Sequence, residues 1–430
     1  MKILYLCHRF PFPPDRGGKV RPFNMIKHLA QQHEVHVCSL ARSPAEAEEG
    51  KGLREHCAHM ECAVVTEPWQ TLRMIARLPT PTPSSMGYFY SGDLHRRIRG
   101  LRARHHYDLI FVHCSSMAQY VANIRDAAKV LDFGDMDSQK WLEYAKYKSF
   151  PHSIGYWLEG NKLEFEERRL AYQFDVCTAT TRAELATLNE LAPGIISDWF
   201  PNGVDSQFFS PDGRSYDQDL ISFIGRMDYY PNQECMIRFC HEVLPRIQRE
   251  QPSSKLYIVG ADPSLTIRRL GELTGVTVTG SVADVRPYVR RSAVMVAPLT
   301  IARGTQNKIL EAMAMGVPVV TSTLAAGGVD AVKGEHLVVA DDAGSCARAI
   351  LKVMQDRSER HRLSEAGRAR VMSHHHWPNS MYRLDVILGR AMMRYQQRQL
   401  SMVGHVLNSS RTSRLKSDQE QQASVRGNRA

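Results

Sequence analysis

The turn-rich segment FPNGVD at residues 200–205 and the apolar run DLISFIGR at 219–226 decide the fold. A short run rich in β-branched residues that ends in glycine is typical of a strand in a parallel sheet covered by helices on both faces. After the turn, this run begins a series that alternates with amphipathic helical stretches. Its further members are KLYIVG (255–260), VTVTG (276–280), AVMVAP (293–298) and VPVVTS (317–322).

The half of the chain before the turn shows the same alternation. Its apolar runs are KILYLCH (2–8), EVHVCSL (34–40), DLIFVHC (108–114), AKVLDF (128–133) and DVCTATT (175–181). Since the rhythm stops at the turn and restarts behind it, the sequence predicts two Rossmann-like α/β domains with parallel sheets, residues 1–200 and 201–377. We expect a last helix at 378–399 to cross back onto the first domain and the polar residues 401–430 to be disordered.

The charge of the chain bounds its partners. Lysine and arginine number 55 against 45 acidic residues, a formal net charge of +10, which suits an anionic ligand, a membrane surface or nucleic acid. The basic run from Arg96 to His106 has little aromatic interleaving, so nucleic-acid binding is not expected. This run predicts either a solvated helix face or peripheral contact with an anionic membrane.

Compartment and metal content follow from the apolar runs and the cysteines. No run of about 18 uncharged apolar residues occurs, and the N-terminus breaks into prolines and charges too early for a signal peptide. The nine scattered cysteines indicate reduced, structural thiols in a cytoplasmic protein. The cluster of His56, Cys57, His59 and Cys62 lacks a second ligand pair at zinc spacing, so no metal site is predicted.

The first candidate site residues stand where strands of the N-terminal half end. Ligands of open parallel sheets bind outside the carboxyl ends of the strands. Gly17 and Gly18 lead from the first strand into a helix, where backbone N–H groups can approach a phosphate. His113 ends the strand DLIFVH, and its imidazole can hydrogen-bond a sugar hydroxyl there.

A second set of candidates ends strands of the C-terminal half. Gly225 and Arg226 end DLISFIGR, and RGTQNK at 303–308 precedes the helix ILEAMAMG. Two cations and a glycine-led helix start, all facing one cleft, can cradle a diphosphate. Glu311 lies one turn into that helix and can accept hydrogen bonds from the two hydroxyls of a ribose. The ordinary alternative for Glu311 is an exposed helical glutamate.

At these residues the chain resembles the retaining glycosyltransferases of family four, which have the GT-B fold, two Rossmann-like domains facing a central cleft. The resemblance extends to about residue 395. It rests on Gly17-Gly18, PNGVD (201–205), FIGRM (223–227), VTGSVADVRPYV (278–289) and LEAMAMGVPVV (310–320). DFGDMDSQKW (132–141) together with ARGTQNKILEAMAMG (302–316) also resembles the sugar transferases of bacterial exopolysaccharide and PEP-CTERM systems.

The resemblance implies transfer of a sugar, with retention, from a nucleoside diphosphate sugar to a hydroxyl group of a glycan or lipid-linked glycan, without a metal or another cofactor. His113 would touch the donor sugar near its reacting carbon, Arg226 would clamp the diphosphate, and Glu311 would hold the ribose. The other donor-binding residues would be the glycines 17, 18 and 225, Gly260, Ser281 and Val282 beside the nucleobase, and Arg303, Gly304, Thr305, Asn307 and Lys308 around the start of the helix.

The chain departs from the family pattern at two positions. The family commonly has a glutamate where this chain has Arg303, and a lysine shortly after the Gly-Arg pair, where this chain reads DYYPN at 228–232. We therefore expect Arg303 or Lys308 to supply the missing phosphate-binding charge.

Two other functions remain open from the sequence. A nucleotide-sugar epimerase has a similar double-Rossmann build, and a non-catalytic sugar-nucleotide-binding protein would tolerate Arg303 in place of the carboxylate. A dehydrogenase is not favoured, because the chain lacks a G-x-G-x-x-G fingerprint in the right place. The aromatic segments 86–93 and 144–156 are candidate acceptor loops.

Overall fold

The computed structural model of the protein describes residues 1–14 and 17–401. The residues expected to form a disordered tail lie outside this description, apart from Ser401. No helix within the described ranges is long and apolar enough to cross a membrane.

Seven parallel strands build the N-terminal sheet, in the order β3-β2-β1-β4-β5-β6-β7. The reversal of strand order between β1 and β4 opens a crevice for ligands at their carboxyl ends, where Cys7 pairs with His113. The strands are β1 (Lys2–Cys7), β2 (Glu34–Ala41), β3 (His59–Val64), β4 (Leu109–His113), β5 (Ala128–Gly134), β6 (Val176–Ala179) and β7 (Ser197–Trp199).

Six parallel strands build the C-terminal sheet, in the order β10-β9-β8-β11-β12-β13. Here the order reverses between β8 and β11, so Gly225 and Arg226, which follow β8, lie at the second crevice. The strands are β8 (Asp217–Ile224), β9 (Lys255–Val259), β10 (Val276–Gly280), β11 (Ser292–Ala297), β12 (Val319–Thr321) and β13 (Val338–Val339).

Helices connect the strands of the N-terminal sheet. Several begin at side-chain caps; Thr181, for example, accepts a hydrogen bond from the Glu184 amide, which satisfies a free N–H of the first turn. The helices are α1 (Gly17–Leu29), α2 (Pro44–Glu49), α3 (Glu67–Ala76), α4 (Ser84–Tyr88), α5 (Gly92–Arg104), α6 (Asp137–Tyr147), α7 (His152–Ala171) and α8 (Arg182–Leu191), with 3₁₀ turns at Gly50–His56 and Ser115–Tyr120.

The C-terminal sheet is covered in the same way, and a final helix follows it. The helices are α9 (Tyr230–Arg238), α10 (Leu244–Glu250), α11 (Leu265–Leu270), α12 (Arg286–Arg290), α13 (Asn307–Ala314), α14 (Thr323–Ala326), α15 (Ala343–Gln355), α16 (Arg357–His374) and α17 (377–401); a π-helical turn, Phe239–Val243, joins α9 to α10.

The apolar runs of the sequence correctly predict ten of these strands. The strands β3, β7 and β13 are not predicted. β3 is mostly half-buried and so lacks a continuous apolar run, and β7 and β13 are only three and two residues long. The acceptor segment 144–156 is also not a loop, because it consists of the end of α6, a short turn and the start of α7.

Both faces of the N-terminal sheet are buried. Leu4 and Ile110 pack on one face, while Ile3 and Leu109 pack on the other, as the alternation of side chains along a strand requires. The helix α17 adds Leu384 to the second cluster. The C-terminal helix therefore packs on the N-terminal domain.

Candidate functional site

A buried network around Asp132 organises the crevice of the N-terminal sheet. Asp132 accepts hydrogen bonds from Arg21 Nε and Nη2, both at 3.0 Å, and from Thr178 Oγ1 at 2.9 Å. His113 Nδ1 lies 2.8 Å from the same carboxylate. Although burial alone would raise it, Arg21 and His113 hold the pKa of Asp132 well below its ordinary value.

The network fixes the orientation of the His113 ring. An ionised carboxylate only accepts hydrogen bonds, so Nδ1 of His113 carries the proton toward Asp132. This leaves Nε2 as the ring atom that can contact a ligand. The ring of His8 lies 5.8 Å from that of His113, and His8 Nδ1 is buried without a hydrogen-bond partner among the described residues.

Arg21 also connects this crevice to the segment between the domains. Its Nη1 donates to the Phe200 carbonyl at 3.0 Å and to Asn202 Oδ1 at 3.1 Å. Asn202 Nδ2 in turn donates to Asn307 Oδ1, at the start of α13, at 3.3 Å. A methyl group on Gly17 would lie 3.5 Å from Asn307 Nδ2. Hence Gly17 and Asn307, both predicted for the donor site, lie together across the cleft.

The turn after β8 forms the rim of the second crevice. Arg226 pairs with Asp228 and Asp262, each at 2.6 Å, and its side chain is 37% exposed. A side chain on Gly260 would collide with the Gly225 carbonyl. The glycine at 260 is therefore needed for the close approach of two backbones, whatever it contributes to a nucleobase pocket.

Lys308 brings a second cation to this turn. Its Nζ donates to Asn232 Oδ1 at 2.6 Å, and Asn232 Nδ2 donates to the Arg226 carbonyl at 2.8 Å. A methyl group on Gly225 would come within 3.2 Å of Lys308 Nζ. Burial lowers the pKa of Lys308 to about 8, because the charged form loses its hydration.

Glu311 stands one turn behind Lys308 on α13. Burial raises the pKa of its carboxyl to about 7, against the opposing effect of Lys308. The side chain is thus a half-buried group at the crevice rather than the exposed glutamate of the ordinary alternative.

Arg303 points to a different place. Its Nη1 lies 3.3 Å from Glu184 and its Nε lies 3.6 Å from Glu143, both carboxylates of the N-terminal domain. The charge of Arg303 is therefore paired across the domain interface. Of the two cations that could replace the missing lysine, the geometry favours Lys308.

The loop before α13 corrects one prediction. The helix begins at Asn307 with Gln306 as its cap, so the amides of Gly304 and Thr305 belong to the preceding loop and not to the helix start. Gly304 has a φ of +61°, and any side chain on it would collide with the Asp135 carboxylate. Thr305 Oγ1 is buried without a hydrogen-bond partner among the described residues.

Residues of α6 close the cleft from the N-terminal side. Tyr144 donates a hydrogen bond to the Tyr229 hydroxyl at 3.2 Å. Burial disfavours the charge of Lys140, yet Asp137, Tyr229 and Asp135 together raise its pKa above the ordinary value. Lys140 is thus a charged group between the domains.

Sequence reasoning missed Asp132, Lys140 and Asn232. A signal for the first two existed, since the charged stretch DFGDMDSQK directly follows an apolar strand run. No such signal marked Asn232.

The remaining predicted residues lie less centrally. The atoms nearest to a methyl group on Gly18 would belong to the side chain of Arg9, at 3.4 Å. Ser281 and Val282 follow β10, the edge strand two positions from β8. No group of three or more histidine, cysteine or acidic residues in the described part of the chain could hold a metal ion.

Comparisons with known proteins agree with this architecture. Residues 218–356 match the family described as Glycosyl transferases group 1. No curated protein matches the sequence of the chain. Among solved structures, sucrose-phosphate synthase from Thermosynechococcus elongatus superposes with a TM-score of 0.68 at 16% identity, over 94% of this chain and 100% of that one.

Two further structures have the same GT-B fold. HepE from Anabaena, in complex with UDP and glucose, gives a TM-score of 0.63 at 15% identity, over 90% of this chain and 99% of its own. TarM of S. aureus gives 0.64 at 10% identity, over 90% and 98%.

Proposed function

We propose that the protein transfers a sugar from a nucleoside diphosphate sugar to a hydroxyl acceptor with retention of configuration. The premise is the match of residues 218–356 to the group 1 glycosyl transferases, within a GT-B fold. The observation that carries the proposal is the position of Lys308, whose ammonium group lies against the Gly225–Arg226 turn at the end of β8. A half-buried cation against the turn that follows a strand in the switch-point crevice is suited to a diphosphate.

Three parts of the donor, the diphosphate, the ribose and the sugar, each contact the protein. Lys308 and Arg226 bind the diphosphate, and Arg226 exchanges its two aspartate partners for phosphate oxygens. Glu311 accepts hydrogen bonds from the ribose hydroxyls, and His113 Nε2 contacts the sugar from the opposite domain. A uridine nucleotide is the first donor to test, because HepE was solved with UDP-glucose.

The chemistry rests on charge stabilisation at the leaving group. As the bond to the anomeric carbon breaks, negative charge grows on the diphosphate and positive charge on the sugar ring. Lys308 and Arg226 are fixed before the reaction starts and can stabilise that negative charge. We therefore propose a metal-independent transfer, in which the acceptor attacks from the face that the leaving group vacates. No protein nucleophile is assigned.

The domain contacts keep water away from the donor. The pairs Arg303–Glu184 and Tyr144–Tyr229 join the two halves of the cleft. Closure of this kind prevents hydrolysis of an activated sugar. We propose that the acceptor is a glycan or lipid-linked glycan of exopolysaccharide or other cell-surface glycan synthesis, at the inner face of the membrane.

A thermal-shift screen with UDP, GDP, ADP and their sugars tests the proposal, since a ligand that binds the folded state raises the melting temperature. Calorimetry with the nucleotide that binds then compares variants. Lys308→Met should weaken binding about tenfold or more, the loss of one charged hydrogen bond. Arg303→Met should keep the nucleotide affinity within about twofold, because its charge is paired elsewhere.

Lys352→Met, on an exposed side chain of α15, is the matched control and should bind like the unchanged protein. Equal nucleotide affinities of the Lys308→Met and Lys352→Met proteins would show that the nucleotide does not bind at the proposed site. Conversion of a nucleotide sugar to its epimer without acceptor, or binding with neither transfer nor hydrolysis, would contradict the proposed activity.

A further inference from the structure

Two helices of the N-terminal domain expose large apolar side chains. On α3 and just after it these are Trp69, Leu72, Ile75 and Leu78; on and just before α7 they are Phe150, Ile154, Trp157, Leu158 and Phe165. We call this set the apolar surface. Exposed apolar residues are usually scattered singly, and a contiguous patch indicates an interaction site.

The residues of α7 form one stripe. Ile154, Trp157, Leu158 and Phe165 are spaced by three, four and eleven residues from the first, which places them on one side of a helix. Leu163 and Leu170 are buried on the other side. The helix therefore has one apolar face buried in the domain and a second apolar face exposed to solvent. The second face is not needed for the packing of the domain.

Hydrogen bonds join the two helices into one surface. Lys162 Nζ of α7 donates to the Leu78 carbonyl, just beyond α3, at 2.7 Å. Glu159 accepts from the amides of Ser84 and Ser85 at the start of α4, at 2.9 and 2.8 Å. These bonds hold the segment from α3 to α4 against α7, so the exposed side chains of both helices belong to the same side of the domain.

The charge around the apolar surface is positive. The segments 67–78 and 146–165 contain five basic residues, Arg73, Arg77, Lys146, Lys148 and Lys162, and three glutamates, at 67, 159 and 164. Glu159 is buried in its bonds to α4, and Glu164 accepts a hydrogen bond from Gln139. Aromatic and aliphatic side chains with a cationic rim fit a bilayer that contains anionic lipid.

The basic run on α5 fits such a partner less well. Arg97 pairs with Asp93 and Glu61, and Arg102 pairs with Asp126. The charges of Arg96, Arg97 and Arg102 are thus paired within the domain, and the apolar residues of α5 lie on its buried face.

We propose that the apolar surface of α3 and α7 docks the protein on an anionic lipid bilayer. The neighbouring helix α6 ends at Tyr147, whose hydroxyl donates to the Thr300 carbonyl of the other domain at 3.5 Å. The apolar surface thus adjoins one end of the cleft, and docking brings that end to the lipid. The benefit to a lipid-linked acceptor rests on the proposed function; the docking itself is measured without donor or acceptor.

Co-sedimentation of the full chain with vesicles tests the proposal. Vesicles of phosphatidylcholine alone are compared with vesicles that contain phosphatidylglycerol. The unchanged protein should bind the anionic vesicles, and its tryptophan emission should shift to the blue. The double variant Trp157→Ser, Leu158→Ser should bind at least about tenfold more weakly, because two large apolar side chains no longer enter the bilayer.

Matched controls separate the apolar surface from other surfaces. Leu265→Ser, on a side chain that is 76% exposed on α11 of the other domain, should bind vesicles like the unchanged protein. So should Arg96→Gln with Arg99→Gln on α5. Nucleotide-induced melting shifts should be the same in all variants, which shows that each is folded and that the donor site is intact.

Two results would overturn the proposal. One is vesicle binding that survives the α7 variant, or that is lost with the α5 variant. The other is a protein that ignores vesicles but is a dimer by light scattering and becomes monomeric with the α7 variant, since the apolar surface would then bind a second copy of the chain. Neither result would touch the proposed transfer reaction.

Discussion

Lys308 and Asn232 show how a cation can reach the Gly-Arg turn from another element. The resemblance predicts a lysine shortly after the Gly-Arg turn, where this chain reads DYYPN at 228–232. Lys308 comes from α13, far beyond β8 in the sequence, and its ammonium group lies 2.6 Å from the side-chain oxygen of Asn232. A positive charge from a different helix thus lies at the turn, 76 residues from Asn232 in the sequence.

The titration of Lys308 and Glu311 predicts a pH dependence of donor binding. Burial lowers the pKa of Lys308 to about 8, so its charge and the donor affinity are lost as the pH rises through that value. Burial raises the pKa of Glu311 to about 7, so the ribose acceptor is lost as the pH falls. Calorimetry from pH 6 to about 9 should show the tightest binding between these two values.

A variant can assign each side of the pH profile of donor affinity to one residue. Glu311→Gln should flatten the fall of affinity on the acid side, and Lys308→Met should flatten it on the alkaline side. An alkaline fall that persists unchanged in the Lys308→Met protein would show that another group titrates there.

Asp132 carries a second prediction at the residue scale. Asp132→Asn should destabilise the protein by about 3–5 kcal/mol, because it leaves the buried Arg21 without its counter-charge. Asp126→Asn, whose carboxylate is 65% exposed beside Arg102, should cost less than about 1 kcal/mol. Guanidinium unfolding followed by circular dichroism measures both, and similar losses in the two variants would contradict the buried-pair argument.

At the scale of elements, the loop that enters α13 sets how closely the domains approach. Two features require a glycine at 304: its left-handed backbone, and the carboxylate of Asp135 from the other domain, which leaves no room for a side chain. Gly304→Ala should cost about 1–2 kcal/mol for the backbone alone and, in addition, slow sugar transfer at least about tenfold by misplacing the cleft walls.

Gly334→Ala isolates the backbone cost, since this glycine has a φ of +79° and no atom within 4 Å of an added methyl group. The Gly334→Ala protein should lose about as much free energy of unfolding as the backbone change costs at Gly304, but its rate of sugar transfer should be unchanged. Steady-state transfer and small-angle scattering compare the two proteins. Equal transfer rates would show that the Gly304–Asp135 contact does not matter for closure.

The elements themselves were largely predictable. Buried strands of a parallel sheet read as continuous apolar runs, because both of their faces pack against helices. This is why runs such as DLIFVHC and AVMVAP appear in the structure as β4 and β11. Strand β3 was not predicted, because four residues of its sequence HMECAV are only half-buried and the sequence therefore shows no continuous apolar run.

At the scale of the whole molecule, α17 ties the C-terminal end of the chain to the N-terminal sheet. Leu384→Ala should destabilise the N-terminal domain by about 2–5 kcal/mol, the cost of a cavity in a packed core. Hydrogen exchange should accelerate in β1 and β4, although the change lies beyond the C-terminal domain in sequence. Val386→Ala, at a half-exposed neighbour, should cost less than about 0.5 kcal/mol; faster exchange confined to the C-terminal sheet would contradict this packing.

The sequence by itself determined the two parallel sheets, the turn that separates them, the strand ends at which His113 and Arg226 stand, and the helix that carries Glu311. These features follow from local patterns of apolar, glycine and charged residues, which the chain displays in order. Only the tertiary structure decided that Arg303 pairs with the opposite domain, that Lys308 reaches Asn232, and that Asp132 orients His113. Each of these depends on a distance between residues far apart in sequence, which burial and packing set and no local pattern records.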